Sequence, residues 1–280
     1  MSSAATKAAA PATPATSAVT TPPRQSAAYQ LGNSILELSE TAGGMAVLLV
    51  RVVWRIVRAS FDWNEFKTNM YKMGVKSTPI VVVTALFVGA ISVIQAAPMV
   101  QQYGAYGLIG WGAGFGVLRE LGPLLTALMI SGRVGANNTA ELGTMVVTEQ
   151  IDALRILAID PLGFLIAPRL LAIVLTLLIA TTYADALALF GAAVASKAML
   201  GVEYAVFVNG LTGGLLNFGD VAHGLVKSVF FGLMMAISSC YFGLAVKGGA
   251  PGVGRAVNAG VVASATGIFI LDYFVSFVIG

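Results

Sequence analysis

Four of the charged residues within the apolar segments of this 280-residue sequence are its first candidates for chemistry. Arg119 and Glu120 are consecutive, whereas Asp185 and Asp272 each stand alone in an apolar run. Ionisable side chains are costly inside a bilayer, so those found there are candidates for binding polar groups or relaying protons. Consecutive residues point about 100° apart on a helix, so Arg119 and Glu120 need not pair with each other. The alternative is structural: each charge pairs with or hydrogen-bonds to a neighbouring helix, which we favour for Asp185 and Asp272.

The sequence offers almost nothing for an enzyme or metal site. It contains one cysteine and one histidine, which excludes a disulfide framework and a Cys- or His-rich metal cluster. We interpret His223 as external and structural. No "GxxxxGK[ST]" phosphate loop is present, so the chain cannot hydrolyse ATP by that motif. The net charge of +3 is too small and scattered to indicate nucleic-acid binding. We therefore predict no catalytic residue, no metal and no cofactor.

Composition predicts an all-α membrane protein. The chain is 57% hydrophobic and 10% charged, whereas soluble domains carry about 25% charged residues. A helix needs about 20 residues to cross a bilayer core. The uncharged residues 77–118 thus have room for two spans joined by the loop "QQYGAYGLIGWGAG". About five transmembrane helices are predicted in total, at residues 79–100, from near Phe115 to beyond Arg133, 164–190, 225–246 and 257–279. Residues 198–223 are broken by Gly and Asn and predict short external helices.

The N-terminal part divides into a tail and an amphipathic helix. Residues 1–28 are rich in Ala, Pro and Thr and predict a retained, disordered tail. Residues 29–78 predict an interfacial helix and a connecting elbow before the transmembrane domain at 79–280. Three arginines recur on one face of "MAVLLVRVVWRIVRAS", opposite apolar residues: Arg51, Arg55 and Arg58. That pattern is typical of a helix lying in the membrane interface; a tilted first span with snorkelling arginines is the alternative.

Basic residues are concentrated on one side of the predicted spans. That side holds Arg51, Arg55, Arg58, Lys67, Lys72, Lys76, Arg133, Arg155, Arg169, Lys247 and Arg255. The opposite side has only Lys197 and Lys227, offset by Glu203 and Asp220. The positive-inside rule therefore places the N-terminus in the cytoplasm and the C-terminus outside.

The stretch "TEQIDALRILAID", Thr148–Asp160, is polar in an otherwise apolar chain. Thr148 is predicted to cap a helix that Asp160-Pro161 ends. Such a helix is about 18 Å long, too short to cross a membrane, so it should lie flat on the cytoplasmic side. Glu149, Asp152 and Arg155 form one polar stripe. The stretch is either a solvated linker or a docking surface for a cytoplasmic partner.

Several motifs resemble one family. Residues 118–172 contain "RELGP", "GRVGA", "AELGTM", "TEQIDAL" and "DP…PR" in order. This run is similar to the signature region of the MlaE/YrbE permeases, the membrane subunits of ABC transporters that work with MCE proteins. The resemblance extends over residues 45–280, including "KSVFFGL…CYFGLAVKGGAPGVGRAV" and the Asp in "FILDYF".

The resemblance implies roles for two sets of residues. "TEQIDALRILAID" resembles the coupling helix that sits in a groove of the ATPase, which assigns to ATPase coupling Glu149, Gln150, Asp152, Leu154 and Arg155. In the family the charged pair matching Arg119 and Glu120 lies beside a lipid cavity between two permease copies, where a guanidinium suits a lipid phosphate. Leu86, Ala90 and Ile94 are predicted as apolar lining of this lipid site, and Arg255 either as a headgroup anchor or as a pocket residue.

The function implied is that of a permease subunit without its own ATPase site. It would move phospholipid or a related lipid between the inner membrane and an external MCE-domain protein. Its partners would be a cytoplasmic ABC ATPase, a second permease copy and, in many systems, a small STAS-type subunit. The alternatives are an ATP-independent secondary transporter or channel that uses Asp185 and Asp272, and a lipid-modifying membrane enzyme. No internal repeat supports the first, and few catalytic groups support the second.

Overall fold

The computed structural model describes residues 27–58 and 62–279, and in those ranges the chain is helical with no strand. The all-α prediction is confirmed. The α-helices are α1 Ala27–Val57, α2 Trp63–Met73, α3 Thr78–Tyr103, α4 Ile109–Gly116, α5 Gly122–Ile130, α6 Ala136–Val147, α7 Gln150–Ile156, α8 Ala167–Leu200, α9 Tyr204–Thr212, α10 Phe218–Leu244 and α11 Gly249–Ile279. The predicted N-terminal tail lies outside these ranges, except for Ala27 and Ala28, which begin α1.

Five stretches of the described residues are long and apolar enough to cross a membrane, which confirms the predicted number. They are Trp63–Tyr103, Tyr106–Val147, Leu162–Leu200, Phe218–Leu244 and Gly249–Ile279, called here the first to fifth spans. Helix α1 is not among these five stretches. Between the start of the first span and α7 the chain runs along the bundle twice, once in the first span and once in the second. The start of the first span and α7 therefore lie at the same end of the bundle.

The second span begins earlier than predicted. The segment "QQYGAYGLIGWGAG" was expected to be a loop, but the chain turns only at Gly104 and Ala105 and is helical from Tyr106 onward. Gly104 has a φ of 65°, a left-handed conformation that glycine adopts without strain. The later glycines serve packing instead. A Cβ on Gly110 would lie 2.0 Å from the carbonyl oxygen of Phe207 in α9.

Short external helices were predicted for residues 198–223, and the structure has one, α9, since this range also includes the end of α8 and the start of α10. Helix α9 has nine residues, too few to cross a bilayer, and it is anchored by the buried Phe207. Helix α10 starts at Phe218, ahead of the predicted 225. Its start is fixed by a capping box in which Asn217 and Asp220 each satisfy a backbone N–H of the other.

Helices α3 and α8 cross at very short range. The residues of α3 that face the bundle recur at every fourth position: Val81, Ala85, Gly89, Val93 and Ala97. A Cβ on Gly89 would lie 1.7 Å from the carbonyl oxygen of Ala188, and one on Gly191 would lie 2.2 Å from that of Leu86. Small residues allow such backbone contact, which gives membrane helices much of their packing energy.

We expect Gly89→Ala to destabilise the protein, because the added methyl group must separate α3 from a rigid carbonyl of α8. The matched control is Gly112→Ala, since a Cβ at Gly112 meets nothing within 4 Å. That helical substitution should be neutral or slightly stabilising. Apparent unfolding temperatures of the detergent-purified variants check this, and equal temperatures for both would contradict the close crossing.

The chain splits into two compact units, and the boundary between them falls within helix α1, after Ala42. In the second unit, Met45 and Val52 are buried, and Leu48 and Ile56 pack half-buried against the core. The sequence had placed the whole apolar face of this helix towards lipid. In the structure much of that face contacts protein, because bundle and bilayer are equally apolar and the pattern alone does not distinguish them.

Three wide, π-helical turns interrupt the spans: Val117–Leu121, Ser131–Gly135 and Leu162–Ile166. The first lies directly before Gly122-Pro123, and a proline inside a helix removes one backbone hydrogen bond. Such turns bend helices and occur often at functional sites. Here they hold Arg119, Glu120 and Arg133.

Candidate functional site

Arg119 and Glu120 lie side by side on the first π-helical turn and have separate partners. The Arg119 Nη1 atom is 3.4 Å from Oδ1 of Asp220 at the start of α10. Its guanidinium carbon is also 5.3 Å from the centroid of the Phe115 ring. Arg119 is therefore held from two sides, although the ion pair is long.

Glu120 is joined to the fourth and fifth spans. It accepts a hydrogen bond from the ammonium group of Lys227 and, at 3.3 Å, one from Ser276. The Lys227 Nζ atom also forms an ion pair with Asp272, 2.8 Å from its Oδ1 atom. Lys227 has no exposed surface. We call Arg119, Glu120, Asp220, Lys227 and Asp272 the ion-pair cluster.

The ion-pair cluster connects the second, fourth and fifth spans. This arrangement matches the structural alternative for Arg119 and Glu120, in which each charge pairs with a neighbouring helix. The formal charge of the cluster is −1, since two cations face three carboxylates. Lys227 is tied to two carboxylates and has no exposed surface, whereas 22% of the Arg119 side chain is exposed. Arg119 is thus the cation of the cluster that is best placed to meet an anion from outside the bundle.

Asp185 lies apart from the ion-pair cluster. It is buried in α8, and its Oδ1 atom has no hydrogen-bond partner among the described residues. A Cβ on Gly122 would lie 1.8 Å from that oxygen. The sequence favoured structural hydrogen bonding for both isolated aspartates. Asp272 forms an ion pair instead, and Oδ1 of Asp185 forms no hydrogen bond at all.

The structure does not bring the remaining predicted lipid residues to Arg119 and Glu120. Leu86 packs against α8 at Gly191, Ala90 is half-buried, and Ile94 is 47% exposed. Arg255 is near the start of α11. It precedes Asp272 by 17 positions, about 25 Å along the helix. Arg119 and Arg255 therefore lie towards opposite ends of the bundle.

Helix α7 is shorter than predicted and begins differently. It covers Gln150–Ile156, about 10 Å. Thr148 does not cap it; its hydroxyl donates to the carbonyl oxygen of Thr144 at 2.8 Å, at the end of α6. Glu149 is the residue before the helix and has a φ of 60°, a strained value for a residue with a side chain. The sharp turn at Glu149 sets the direction of α7.

The exposed face of α7 is both charged and apolar. Asp152 and Arg155 form an exposed ion pair of 2.7 Å. Ile156 and Leu157 beside them are 86% and 69% exposed. Ile151 is buried within this chain. Sequence reasoning missed Ile156 and Leu157, although two consecutive apolar residues directly after Arg155 of the polar stripe were a signal.

Asp160 connects the end of this segment to two other elements. Its carboxylate lies 3.1 Å from Nη2 of Arg55 in α1, and it accepts hydrogen bonds from the backbone N–H groups of Leu162 and Gly163. The predicted helix stop is therefore also the cap of the third span, and it ties the α7 segment to α1.

Arg169 is a buried arginine at the α7 end of the bundle, whereas from the sequence it was counted only among the basic residues of one side. Arg169 is 2% exposed, and its Nη1 atom donates to Asn138 and Glu141, both at 3.0 Å. Its Nη2 atom lies 3.9 Å from Glu65. This network connects α2, α6 and α8. Its only sequence signal was that Arg169 and Glu141 fall within the quoted motifs "DP…PR" and "AELGTM".

Comparison with known proteins gives one consistent result. A family model described as "Permease MlaE" matches residues 66–278. A probable ABC transporter permease protein of Synechocystis is 40% identical over 226 residues, covering 81% of this chain and 86% of that protein. One from Rickettsia bellii is 32% identical, with 89% and 96% covered. The chloroplastic protein TRIGALACTOSYLDIACYLGLYCEROL 1 of Arabidopsis thaliana is 33% identical, with 83% and 67% covered.

Proposed function

Because the chain belongs to the MlaE permease family and is a multi-pass membrane protein, we propose that it is the permease subunit of an ATP-driven lipid transporter. In this proposal it moves phospholipid or a related lipid between the inner membrane and an external MCE-domain protein. The observation that carries the proposal is α7, a short helix outside the membrane-spanning segments whose exposed face is suited to a partner.

The geometry of α7 supports its assignment as a coupling helix. Its exposed ion pair and the adjacent Ile156 and Leu157 form a surface that the rest of the described chain leaves uncovered. Glu149, Gln150 and Asp152 lie at its N-terminal end, where they can meet basic groups of an ATPase subunit. Because a tight turn connects α7 to α6, a force that the ATPase subunit exerts on this surface can be transmitted to the second span.

Three observations support a lipid substrate. Arg119 is a partly exposed cation among membrane-spanning helices, which suits a lipid phosphate. The five spans leave large apolar side chains exposed along their length, so apolar tails find contacts on them. One relative bears the name of a diacylglycerol glycolipid.

The remaining assignments follow from family membership and charge. We place the chain in the inner membrane with a cytoplasmic N-terminus, because basic residues are concentrated at the α7 end. The proposed assembly contains a cytoplasmic ABC ATPase, a second permease copy, an external MCE-domain protein and, where the system has one, a STAS-type subunit.

An ion-driven transporter is less well supported. It would use Asp185 and Asp272 together, but Asp272 is engaged by Lys227. Such a mechanism would have to depend on Asp185 alone.

We expect Arg119→Gln to weaken lipid binding and ATP-dependent lipid transfer by roughly tenfold, the cost of about 1.4 kcal/mol of interaction with a phosphate. The measurement uses proteoliposomes with the ATPase subunit and a photoactivatable phospholipid. Asp220→Asn is the matched control, because it removes the other half of the same ion pair and leaves the cation in place. If Arg119 has only a structural role, both variants lose the same activity. Absence of ATP-dependent lipid transfer by the unchanged protein would refute the proposed function.

A further inference from the structure

A cavity of about 320 Å³ lies at the α7 end of the bundle, where the start of the first span, α2 and the turn after it, faces the second span. Three cations line it: Lys72, Lys76 and Arg133. None of the three forms an ion pair with a carboxylate of residues 27–58 or 62–279. We call these cations, together with the lining residues Asn69, Ser77, Asn137 and Glu141, the basic pocket.

The single carboxylate of the basic pocket is already compensated. Glu141 accepts from the buried Arg169 at 3.0 Å and from Asn137 at 2.9 Å. The charge that faces the cavity is therefore strongly positive. All three cationic side chains are exposed as well as lining the cavity, so they can meet an anion that enters it from outside the bundle.

Two buried polar atoms in the wall of the pocket have no partner. Ser77 is 2% exposed, and its Oγ atom forms no hydrogen bond within the described residues; Oδ1 of Asn69, 1% exposed, forms none either. Buried polar atoms are almost always hydrogen-bonded, so an unpaired one requires an explanation. The Ser77 hydroxyl can donate to an anion, and Asn69 can accept from a protonated or hydroxylated group.

An apolar groove of about 220 Å³ adjoins the basic pocket, and Ser77 lines both. Its walls include Met70, Val75, Ile130, Ile179 and Tyr183. A phosphate alone would use only the basic pocket. An amphiphile with a phosphate head and an acyl chain matches both parts at once, and basic pockets between membrane helices are known to bind anionic headgroups.

We propose that the basic pocket binds the phosphate of a phospholipid whose acyl chain lies in the adjoining groove. This inference rests on the proposed function and adds a headgroup site to it. The site lies at the α7 end, whereas Arg119 and the ion-pair cluster are in the other half of the second span. A phospholipid would then have one headgroup site towards each end of the permease.

The test is a titration of the purified full-length protein with dihexanoyl phosphatidylglycerol, read out as the rise in apparent unfolding temperature. Inorganic phosphate and uncharged dihexanoylglycerol are titrated in parallel. We expect a saturable rise with the phospholipid only. The variant Lys72→Gln/Lys76→Gln/Arg133→Gln should bind it at least tenfold more weakly. The control Arg51→Gln/Lys67→Gln/Lys247→Gln loses the same charge from exposed positions outside the pocket and should bind it normally.

Other outcomes overturn the proposal in distinguishable ways. An equal rise with inorganic phosphate would make the pocket a site for a free anion, and an equal rise with dihexanoylglycerol would mean that only the groove binds. Unchanged affinity of the triple variant would refute the pocket altogether.

Ser77→Ala covers the case in which the triple variant is unstable. Because its Oγ atom has no hydrogen-bond partner among residues 27–58 and 62–279, this change should leave the unfolding temperature unaltered. We expect phospholipid affinity to fall about three- to tenfold, the effect of one hydrogen bond. If the triple variant cannot be measured, unaltered phospholipid affinity of Ser77→Ala would overturn the assignment.

A separate assay tests the proposed function. It measures ATP-dependent lipid transfer by the unchanged protein with its ATPase subunit. Transfer by that protein together with normal lipid binding by the triple variant would refute the pocket alone. Loss of binding in the triple variant without any transfer by the unchanged protein would refute the transporter and leave the lipid site.

Discussion

Replacing Lys227 by methionine is expected to lower the apparent unfolding temperature by on the order of 10 °C. Lys227 is fully buried and is shared by Glu120 and Asp272. Without it two carboxylates face each other among packed helices. Breaking one partner out of a buried ion pair costs about 3–5 kcal/mol, and the lower end of that range applies here because the Glu120 and Asp272 side chains are 39% and 19% exposed. Each kcal/mol shifts the transition of a chain of this size by about 2–4 °C. Thermal unfolding of the purified protein in detergent measures the effect.

A compensating variant distinguishes lost charge balance from lost packing. Glu120→Gln/Lys227→Met/Asp272→Asn removes all three charges and should recover most of the lost stability, because apolar or neutral replacement of a whole buried network is often nearly neutral. Lys197→Met is the control for losing a lysine: it is exposed and lies over the Tyr204 ring, so its loss should matter little. A stable Lys227→Met protein would show that the ion-pair cluster does not hold the three spans.

The double variant Ile156→Asp/Leu157→Asp is expected to reduce lipid-stimulated ATP hydrolysis by at least about tenfold. Both side chains are largely exposed, so the chain should fold and insert as before. Two charges would then replace the apolar part of the proposed ATPase contact, and burying an unpaired charge at an interface costs more than 1.4 kcal/mol, or tenfold. Asp152→Lys, which also breaks the ion pair with Arg155, should act in the same direction.

The matched control exchanges the two side chains, as Ile156→Leu/Leu157→Ile, and keeps the apolar surface. It should remain coupled. ATPase activity of the reconstituted complex and co-purification of the ATPase subunit are measured together. Full lipid-stimulated activity in the double aspartate variant would contradict the assignment of α7.

The number of spans could be predicted from the sequence because a run of about 20 apolar residues has few other uses. Their bounds could not. Glycines near Gly110 resembled a loop, yet they permit contact with α9. The contact face of α1 was also hidden, since Met45 and Val52 pack on protein with the same chemistry they would show to lipid.

The charged residues were found by type, but their partners were not. Glu120 and Lys227 are 107 positions apart, and Arg169 reaches Glu141 across 28. No local pattern encodes such pairs. The direction of α7 likewise depends on a single left-handed residue, Glu149, which helical periodicity does not reveal.

The wide turns at Val117–Leu121 and Ser131–Gly135 also bear on how this protein tolerates changes in chain length. A π-helical turn holds one residue more than an α-helical turn without rotating the segments on either side. A one-residue deletion inside either turn can therefore be absorbed locally. The same deletion within α5 would swing every later side chain of that span by about 100°. Where a related chain is one residue shorter within this span, the missing residue should fall in one of these two turns rather than in α5.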